Sequence, residues 1–475
     1  MPRILLALFL LLALFPLARA QETEQAVTWV GSVELPDGSS LDFSVELKHD
    51  SGTISIPLQQ VLDLPLDGVA VSDKKLVFSI ALAGAEWSLD LAQDGQSATG
   101  VLKQGAELKT TMKRLAPGEH AQKTLRRPQE PKTPFPYESV EVKFENKEAH
   151  AKLAGTLTLP KGAGPFPCAV LVTGSGPQDR DESLMGHRPF LVIADHLTRA
   201  GIAVLRYDDR GVAKSTGKFS KATTEDFAND ALAAVAFLKT RPEIDAKRIG
   251  IIGHSEGGIV APICAARSQD VAFIVLLAGT GMRGAELMPL QSKLINIASG
   301  MAADKAQAEA HDTAEIYAKL VAGASDAELK ECIRAMALRQ MKSAPEMKDL
   351  SEEALAKKAD AVVAEQAPEL LSPWFRCFLA LDPRTNLLHV TCPVLALNGE
   401  KDLQVPPKEN LALIRSALEE GGNKDVTIRE LPGLNHLFQT CTTGAPAEYA
   451  RIEETFAPAA LEVLASWIRK HTGLE

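Results

Sequence analysis

From Tyr137 onward the chain alternates short, almost wholly apolar stretches with longer segments of helical period, and this alternation limits the possible architectures severely. Residues 168–172, 202–206, 249–253, 273–277 and 394–397 present almost no polar side. A strand that is apolar on both sides has to be covered on both sides. Helices are read over residues 189–200, 225–239, 257–266, 408–418 and 453–470. The pattern predicts an α/β fold on a mostly parallel, eight-stranded sheet with helices on both faces. Residues 140–144 and 152–159 add two strands before this run, and residues 426–431 add one at its end. Gly201 stands where a helix-terminating glycine belongs. Between the strands ending at Leu277 and starting at Val394, residues 282–391 are rich in Ala, Leu, Met, Lys and Glu, which favour helix. Because the α/β pattern resumes afterwards, this interval predicts a helical cap inserted into the fold rather than a separate downstream domain.

The rest of the chain reads differently. Residues 21–115 form an expected N-terminal β-domain. Within it, 27–30, 32–35, 41–47 and 76–80 alternate or are β-branched, and Pro36-Asp37-Gly38, Asp50-Ser51-Gly52 and Asp94-Gly95 mark turns. Such short strands predict a small antiparallel barrel or sandwich. Residues 116–136 carry Pro117, Pro128, Pro131, Pro134 and Pro136 and read as a proline-rich linker. Residues 1–20 combine Arg3, an apolar run over 4–17 and the small-residue exit Ala18-Arg19-Ala20, the pattern of a signal peptide. The run is short for the roughly 30 Å of a bilayer core. The expectation is an exported protein, periplasmic or secreted, beginning near Gln21 and without stable membrane insertion after cleavage.

The motif that carries chemistry is Gly253-His254-Ser255-Glu256-Gly257-Gly258. G-x-S-x-G is weak alone, but here it follows an apolar strand and leads into a helix with small residues. That is the setting of a nucleophile elbow, a sharp turn that exposes a serine at the top of a sheet. A serine hydroxyl needs a base. His436, just past the strand 426–431, is the candidate. Its orienting acid should follow the preceding strand, and Asp402 is favoured over Glu400 there. An oxyanion needs main-chain donors. Glu256 N–H is one, and the loop Thr173-Gly174-Ser175-Gly176-Pro177-Gln178-Asp179-Arg180-Asp181 supplies the other, with Ser175 preferred over Gly176. Asp179, Arg180 and Asp181 are read as holding that loop by ion pairs. Tyr207-Asp208-Asp209-Arg210-Gly211 is read as a structural charged loop. His254 is read as packed or hydrogen-bonded rather than a base, and His187 and His196 carry no assignment.

Composition removes several other classes. The net charge is −10, which disfavours nucleic acid and anionic lipid as partners. Aromatics are only 5%, too few for a base-stacking surface. The six cysteines show no C-x-x-C spacing and there is no H-E-x-x-H, so neither a metal nor a cofactor is expected. Cys332 and Cys377, both in the insertion, are the favoured disulfide pair, while Cys168 and Cys264 read as apolar core groups.

These residues resemble the α/β-hydrolase superfamily. The nearest likeness is to exported bacterial carboxylesterases with an N-terminal β-domain, a Gly-His-Ser-Glu-Gly-Gly elbow and a Gly-Ser-Gly-Pro-x-Asp-Arg-Asp loop, here residues 253–258 and 174–181. The resemblance spans residues 137–471 and extends to 29–115. It implies hydrolysis of a small-molecule ester through an acyl-enzyme, with Ser255, Asp402 and His436 as the triad. Thr173 departs from the histidine many relatives carry there, which a main-chain oxyanion hole does not need. Two alternatives stand beside it. One is a peptidase of the prolyl-oligopeptidase type, although residues 21–115 are too few for a propeller. The other is a surface-binding protein with a silent hydrolase domain.

Overall fold

The computed structural model describes residues 26–35, 40–48, 50–59, 61–344 and 347–474. The segment 1–20, read above as a signal peptide, and the expected turn Pro36-Asp37-Gly38 lie outside the described residues. The chain divides into two compact units, with the boundary between Arg126 and Arg127.

The first unit is one antiparallel sheet rather than two stacked layers. Its strands are β1 (Val27–Glu34), β2 (Ser40–Leu47), β3 (Gly52–Ile56), β4 (Val61–Pro65), β5 (Gly68–Val71), β6 (Lys75–Ile80), β7 (Ala85–Leu91), β8 (Ser97–Lys103) and β9 (Glu107–Arg114). They lie in the order β4-β3-β2-β1-β9-β8-β7-β6-β5, a half-barrel. The sequence reading split β1 into two strands. It is continuous, because the ladder with β2 runs unbroken through Gly31. Inward positions alternate as the pleat requires: Leu76, Phe78 and Ile80 on β6, and Ala85, Trp87 and Leu89 on β7. Phe78 and Trp87 are cross-strand partners whose rings stack at 5.0 Å, and Phe43 packs on Trp87 at 5.8 Å. The strands missed in the sequence are short or carry Asp, Ser, Lys and Thr on their outer side, which dilutes the alternation.

The second unit contains β10 (Glu138–Asn146), β11 (Ala151–Leu159), β12 (Phe166–Val172), β13 (Ala203–Tyr207), β14 (Ile244–His254), β15 (Phe273–Leu277), β16 (Val394–Gly399) and β17 (Val426–Leu431). Their order is β10-β11-β13-β12-β14-β15-β16-β17. The pairs β10/β11 and β11/β13 are antiparallel, and all pairs from β13 to β17 are parallel. This is the α/β-hydrolase fold.

Alternate residues of each strand serve opposite faces. Ala169, Leu171, Leu395 and Leu397 pack with α1 (Pro189–Arg199) and α11 (Pro458–Thr472). Val170, Val172, Val394 and Ala396 pack with α2 (Thr224–Leu238), α3 (Gly257–Arg267) and α10 (Pro407–Glu420). The apolar strands of the sequence are therefore doubly covered. The last helix begins at Pro458 rather than near 453, with proline at its first turn and a 3₁₀ segment, Pro446–Arg451, before it.

Between β15 and β16 lie α4 (Gly284–Ala298), α5 (Ala303–Val321), α6 (Asp326–Ser343), α7 (Glu352–Leu370), α8 (Pro373–Ala380) and α9 (Pro383–Leu387). Ser325, Ser351 and Ser372 cap α6, α7 and α8 by accepting main-chain N–H groups. The end of the proline-rich stretch is fastened to the second unit. The Arg127 guanidinium donates to the carbonyls of Met185, Gly186, Ala450 and Ile452, and Gln129 bonds to Thr455 and Phe456.

The expected Cys332–Cys377 bridge is absent, and all six cysteines are free thiols. The Cys332 sulfur accepts from Lys319 Nζ on α5 at 3.3 Å, whereas Cys377 faces the first turn of α2. The two thiols serve different elements. Among the described residues no helix is long and apolar enough to cross a membrane, and no group of three His, Cys, Asp or Glu is placed to hold a metal.

Because Phe78 is fully buried against Trp87, Phe78→Ala is expected to destabilise the first unit by about 3–5 kcal/mol. Denaturant unfolding followed by tryptophan fluorescence measures that loss as a lowered midpoint.

Candidate active site

β14 ends at His254, and the chain reverses through Ser255 into α3. Ser255 has φ 54°, the left-handed region that side chains resist. Two tight approaches enforce the turn. A Cβ on Gly253 would fall on the Gly257 carbonyl, and one on Gly257 would fall on the Val172 carbonyl of β12. Ser255 N–H donates to Leu277 O at 2.8 Å, tying the turn to the end of β15. Ser255 is thus held at the carboxyl end of the central strand.

His436 lies in the loop after β17. Asn435 shapes that loop, its Oδ1 accepting from Leu437 N at 3.0 Å and Gln439 N at 2.9 Å. His436 Nδ1 lies 2.8 Å from Asp402 Oδ2, and both residues are buried. Asp402 Oδ1 accepts from Gln404 N and Val405 N, each at 2.8 Å. With a carboxylate facing Nδ1, the proton resides on Nδ1 and Nε2 keeps its lone pair. Glu400, the runner-up acid, accepts from Gly433 N at 2.8 Å and so braces the loop instead. His187 is buried behind it, against Thr455, Tyr449 O and Gln439, and burial pushes it down to about 4.

His254, the residue before Ser255, packs on His436. The His254 ring lies 4.9 Å from the His436 ring, and its Nε2 is 3.0 Å from His436 O. The loop after β12 closes the other side. A Cβ on Gly174 would be 3.1 Å from Ser255 Cβ, so the loop passes directly over the serine. Neither the Ser175 nor the Glu256 main-chain N–H has an acceptor among the described residues.

That loop is held by a set of carboxylates. Arg180 donates to Asp208 through Nε at 2.9 Å and Nη2 at 2.8 Å, and through Nη1 to Glu141 at 2.8 Å. Asp181 pairs with Arg206 and Arg188. Thr173 Oγ1 and Gln178 N each donate to Asp209 at 2.9 Å. Gly174 N donates to Glu182 Oε1 at 2.7 Å. The charged Asp208-Asp209-Arg210 loop is therefore structural, as its sequence implied, and what it supports is the loop after β12.

Three features escaped the sequence reading. Glu182 lies one residue past the motif, and no spacing rule marks it. The Glu256 side chain is buried and accepts from Thr224 Oγ1 at 2.6 Å and from Trp374 Nε1 at 2.9 and 3.0 Å. Burial holds its carboxyl above the ordinary range, against the Thr224, Trp374 and Ser175 hydrogen bonds. Trp374, on α8, thereby ties the helical insertion to the elbow. A lone tryptophan in an alanine-rich interval is the only sequence trace of this contact.

Residues 188–440 match the family described as serine aminopeptidase, S33. The chain is similar to Esterase EstD of Thermotoga maritima, 28% identical over 310 residues, covering 65% of this chain and 64% of that protein. The match therefore spans less than two thirds of the relative's length. Among solved structures, α/β hydrolase GrgF from Penicillium sp. sh18 is 17% identical, covers 71% of this chain and 99% of its own, and has a TM-score of 0.42. An esterase of Pyrococcus furiosus is 16% identical, covers 74% and 100%, and has a TM-score of 0.42.

The Asp209 carboxyl is pushed up to about 8, chiefly by burial, against the Gln178 and Thr173 hydrogen bonds, with Glu256 and Glu182 adding to the rise. A raised acid binds its proton more tightly folded than unfolded. Its contribution to stability is complete below about pH 4 and is lost as the pH rises through about 8. Asp209→Asn retains an acceptor for Gln178 and a donor for Thr173 and does not titrate. Melting temperatures measured across that range are expected to fall less with rising pH for Asp209→Asn than for the wild type.

Proposed function

The chain belongs to the serine aminopeptidase (S33) family of α/β-hydrolases, and on that footing we propose that it is a serine carboxylester hydrolase acting on small to medium acyl esters. The observation that carries the reading is the Asp402–His436 pair, packed against the residue preceding a serine in a left-handed turn. In this reading His436 Nε2 takes the Ser255 proton as Oγ attacks the acyl carbon. The carbonyl oxygen becomes an oxyanion facing the Ser175 and Glu256 N–H groups. His436 then delivers its proton to the departing alkoxide, leaving Ser255 acylated. Water, deprotonated by His436, attacks the acyl carbon. Collapse of that second intermediate releases the carboxylic acid and returns the proton to Ser255.

A peptidase specific for a free amino terminus needs a carboxylate to receive an ammonium group. Glu182, bonded to the residue before Ser255, and Glu256, the residue after it, are both engaged, Glu182 by Gly174 and His254, and Glu256 by Thr224 and Trp374. That favours an ester over an aminoacyl substrate, as does the similarity to a protein named an esterase. The family description favours the second reading, an aminopeptidase.

Hydrolysis of p-nitrophenyl esters from acetate to dodecanoate, with an aminoacyl p-nitroanilide in parallel, decides between them. Ester turnover is expected in the wild type and a loss of about 10⁴-fold or more in Ser255→Ala. Turnover of the anilide alone replaces the ester reading with the peptidase one.

We also propose export to the periplasm or the medium, on the charge and apolar pattern of residues 1–20. Amino-terminal sequencing of the protein recovered from an expressing cell is expected to begin near Gln21. Recovery with residues 1–20 still attached would remove the proposal.

A further inference from the structure

Beside the triad, two buried titratable side chains face the same centre and have no part in the steps above, Glu182 and His254. Their protonation follows from their partners. His254 Nε2 lies 3.0 Å from His436 O, a carbonyl that only accepts, so Nε2 carries a hydrogen. His254 Nδ1 lies 2.9 Å from Glu182 Oε1. The same oxygen accepts the Gly174 N–H at 2.7 Å. A carboxylate oxygen accepts both, so Nδ1 carries a hydrogen as well. The pair is a buried imidazolium and carboxylate. Burial pushes the His254 imidazolium down. The Glu182 carboxylate, the His436 carbonyl and Asp402 pull it up, and the balance lies above the ordinary histidine value.

We propose that Glu182 and His254 are a second acid–histidine pair that positions the base loop and the oxyanion loop together. The proposal rests on the serine-hydrolase reading given above. One Glu182 oxygen fixes Gly174, next to the Ser175 donor, while the histidine it charges grips the main chain of His436. Glu182 itself has φ 53°, a conformation that a side-chain-bearing residue adopts only where its surroundings impose it.

His436 faces Asp402 from the loop after β16 and His254 from the end of β14. His254 faces Glu182 from the loop after β12, then His436, with Asp402 beyond.

Glu182 and His254 are positioning residues, and their test separates charge from scaffold. Histidine-selective ¹⁵N NMR of the full chain reads His254 directly, its signals identified by their loss in His254→Gln. Both ring nitrogens are expected to be protonated at about pH 6.5, where a free histidine is half neutral. A neutral His254 at that pH overturns the proposal whether or not the protein hydrolyses esters. Turnover that survives Ser255→Ala overturns the functional reading instead.

Two variants add the kinetic readout. His254→Gln keeps a donor near His436 O, and His254→Asn keeps one near Glu182, but neither carries the cation. His254→Gln should retain about tenfold more kcat than His254→Asn, with KM near the wild-type value in each. Equal losses of kcat in the two variants overturn the proposal.

Discussion

The close approach of β14, α3 and β12 around Ser255 is the constraint on which the rest of the site depends. A serine in the left-handed region is unfavourable by itself, by roughly 1–3 kcal/mol. It persists because Gly253 and Gly257 let three main chains meet where no side chain fits, and because Leu277 O holds the Ser255 N–H. Doubly buried strands supply the stiffness. Each apolar residue of β12, β14, β15 and β16 is gripped on one face or the other, so the strand ends cannot relax the turn. The sheet's interior hydrophobicity is thus what holds a polar side chain in an unfavourable conformation at its edge.

Above that edge the structure depends on buried carboxylates. Asp208, Asp209, Glu182 and Glu256 are all nearly inaccessible, and an ionised carboxylate without partners would be intolerable there. Each is answered by donors from a different element: Asp208 by Arg180 and Lys214, Asp209 by Thr173 and Gln178, Glu182 by Gly174 and His254, Glu256 by Thr224 and Trp374. Removing one partner leaves a buried polar group unsatisfied, so these contacts fix loop positions. The loop after β12 has no regular structure of its own, and its geometry is transferred from β13, β14 and α2 through these acids.

Much of this was legible in the sequence where a local rule applies. Doubly apolar strands, the Gly-x-Ser-x-Gly turn and the positions of Asp402 and His436 after successive strands all follow from chain order and period. The reading failed where the cause is three-dimensional. Glu182 and Thr224 have no sequence rule linking them to Gly174 and Glu256. Proximity alone suggested that Cys332 and Cys377 would pair, but α6 and α8 turn their sulfurs toward Lys319 and the start of α2. In the first unit, β4 and β5 were invisible because half-exposed, four- or five-residue strands carry almost no alternation.

The helical insertion meets this rigid centre through a narrow contact. Trp374 donates to Glu256, the residue whose main-chain N–H is assigned to the oxyanion, and its ring stacks on Phe378 at 5.5 Å. The aromatic face of α8 is therefore registered against the nucleophile turn, whereas α5, α6 and α7 are built on alanine-rich helical surfaces. Chemistry and selectivity then have separate physical origins in this fold. The glycine contacts and buried acids leave the reacting atoms little freedom. The Phe375 and Phe378 side chains of α8 make none of those bonds, whereas Trp374 makes one. On the ester reading proposed above, changes in the acyl group accepted are to be sought in α8 and its neighbours α4 and α5, and changes in rate in the loops that carry Gly174, His254 and His436.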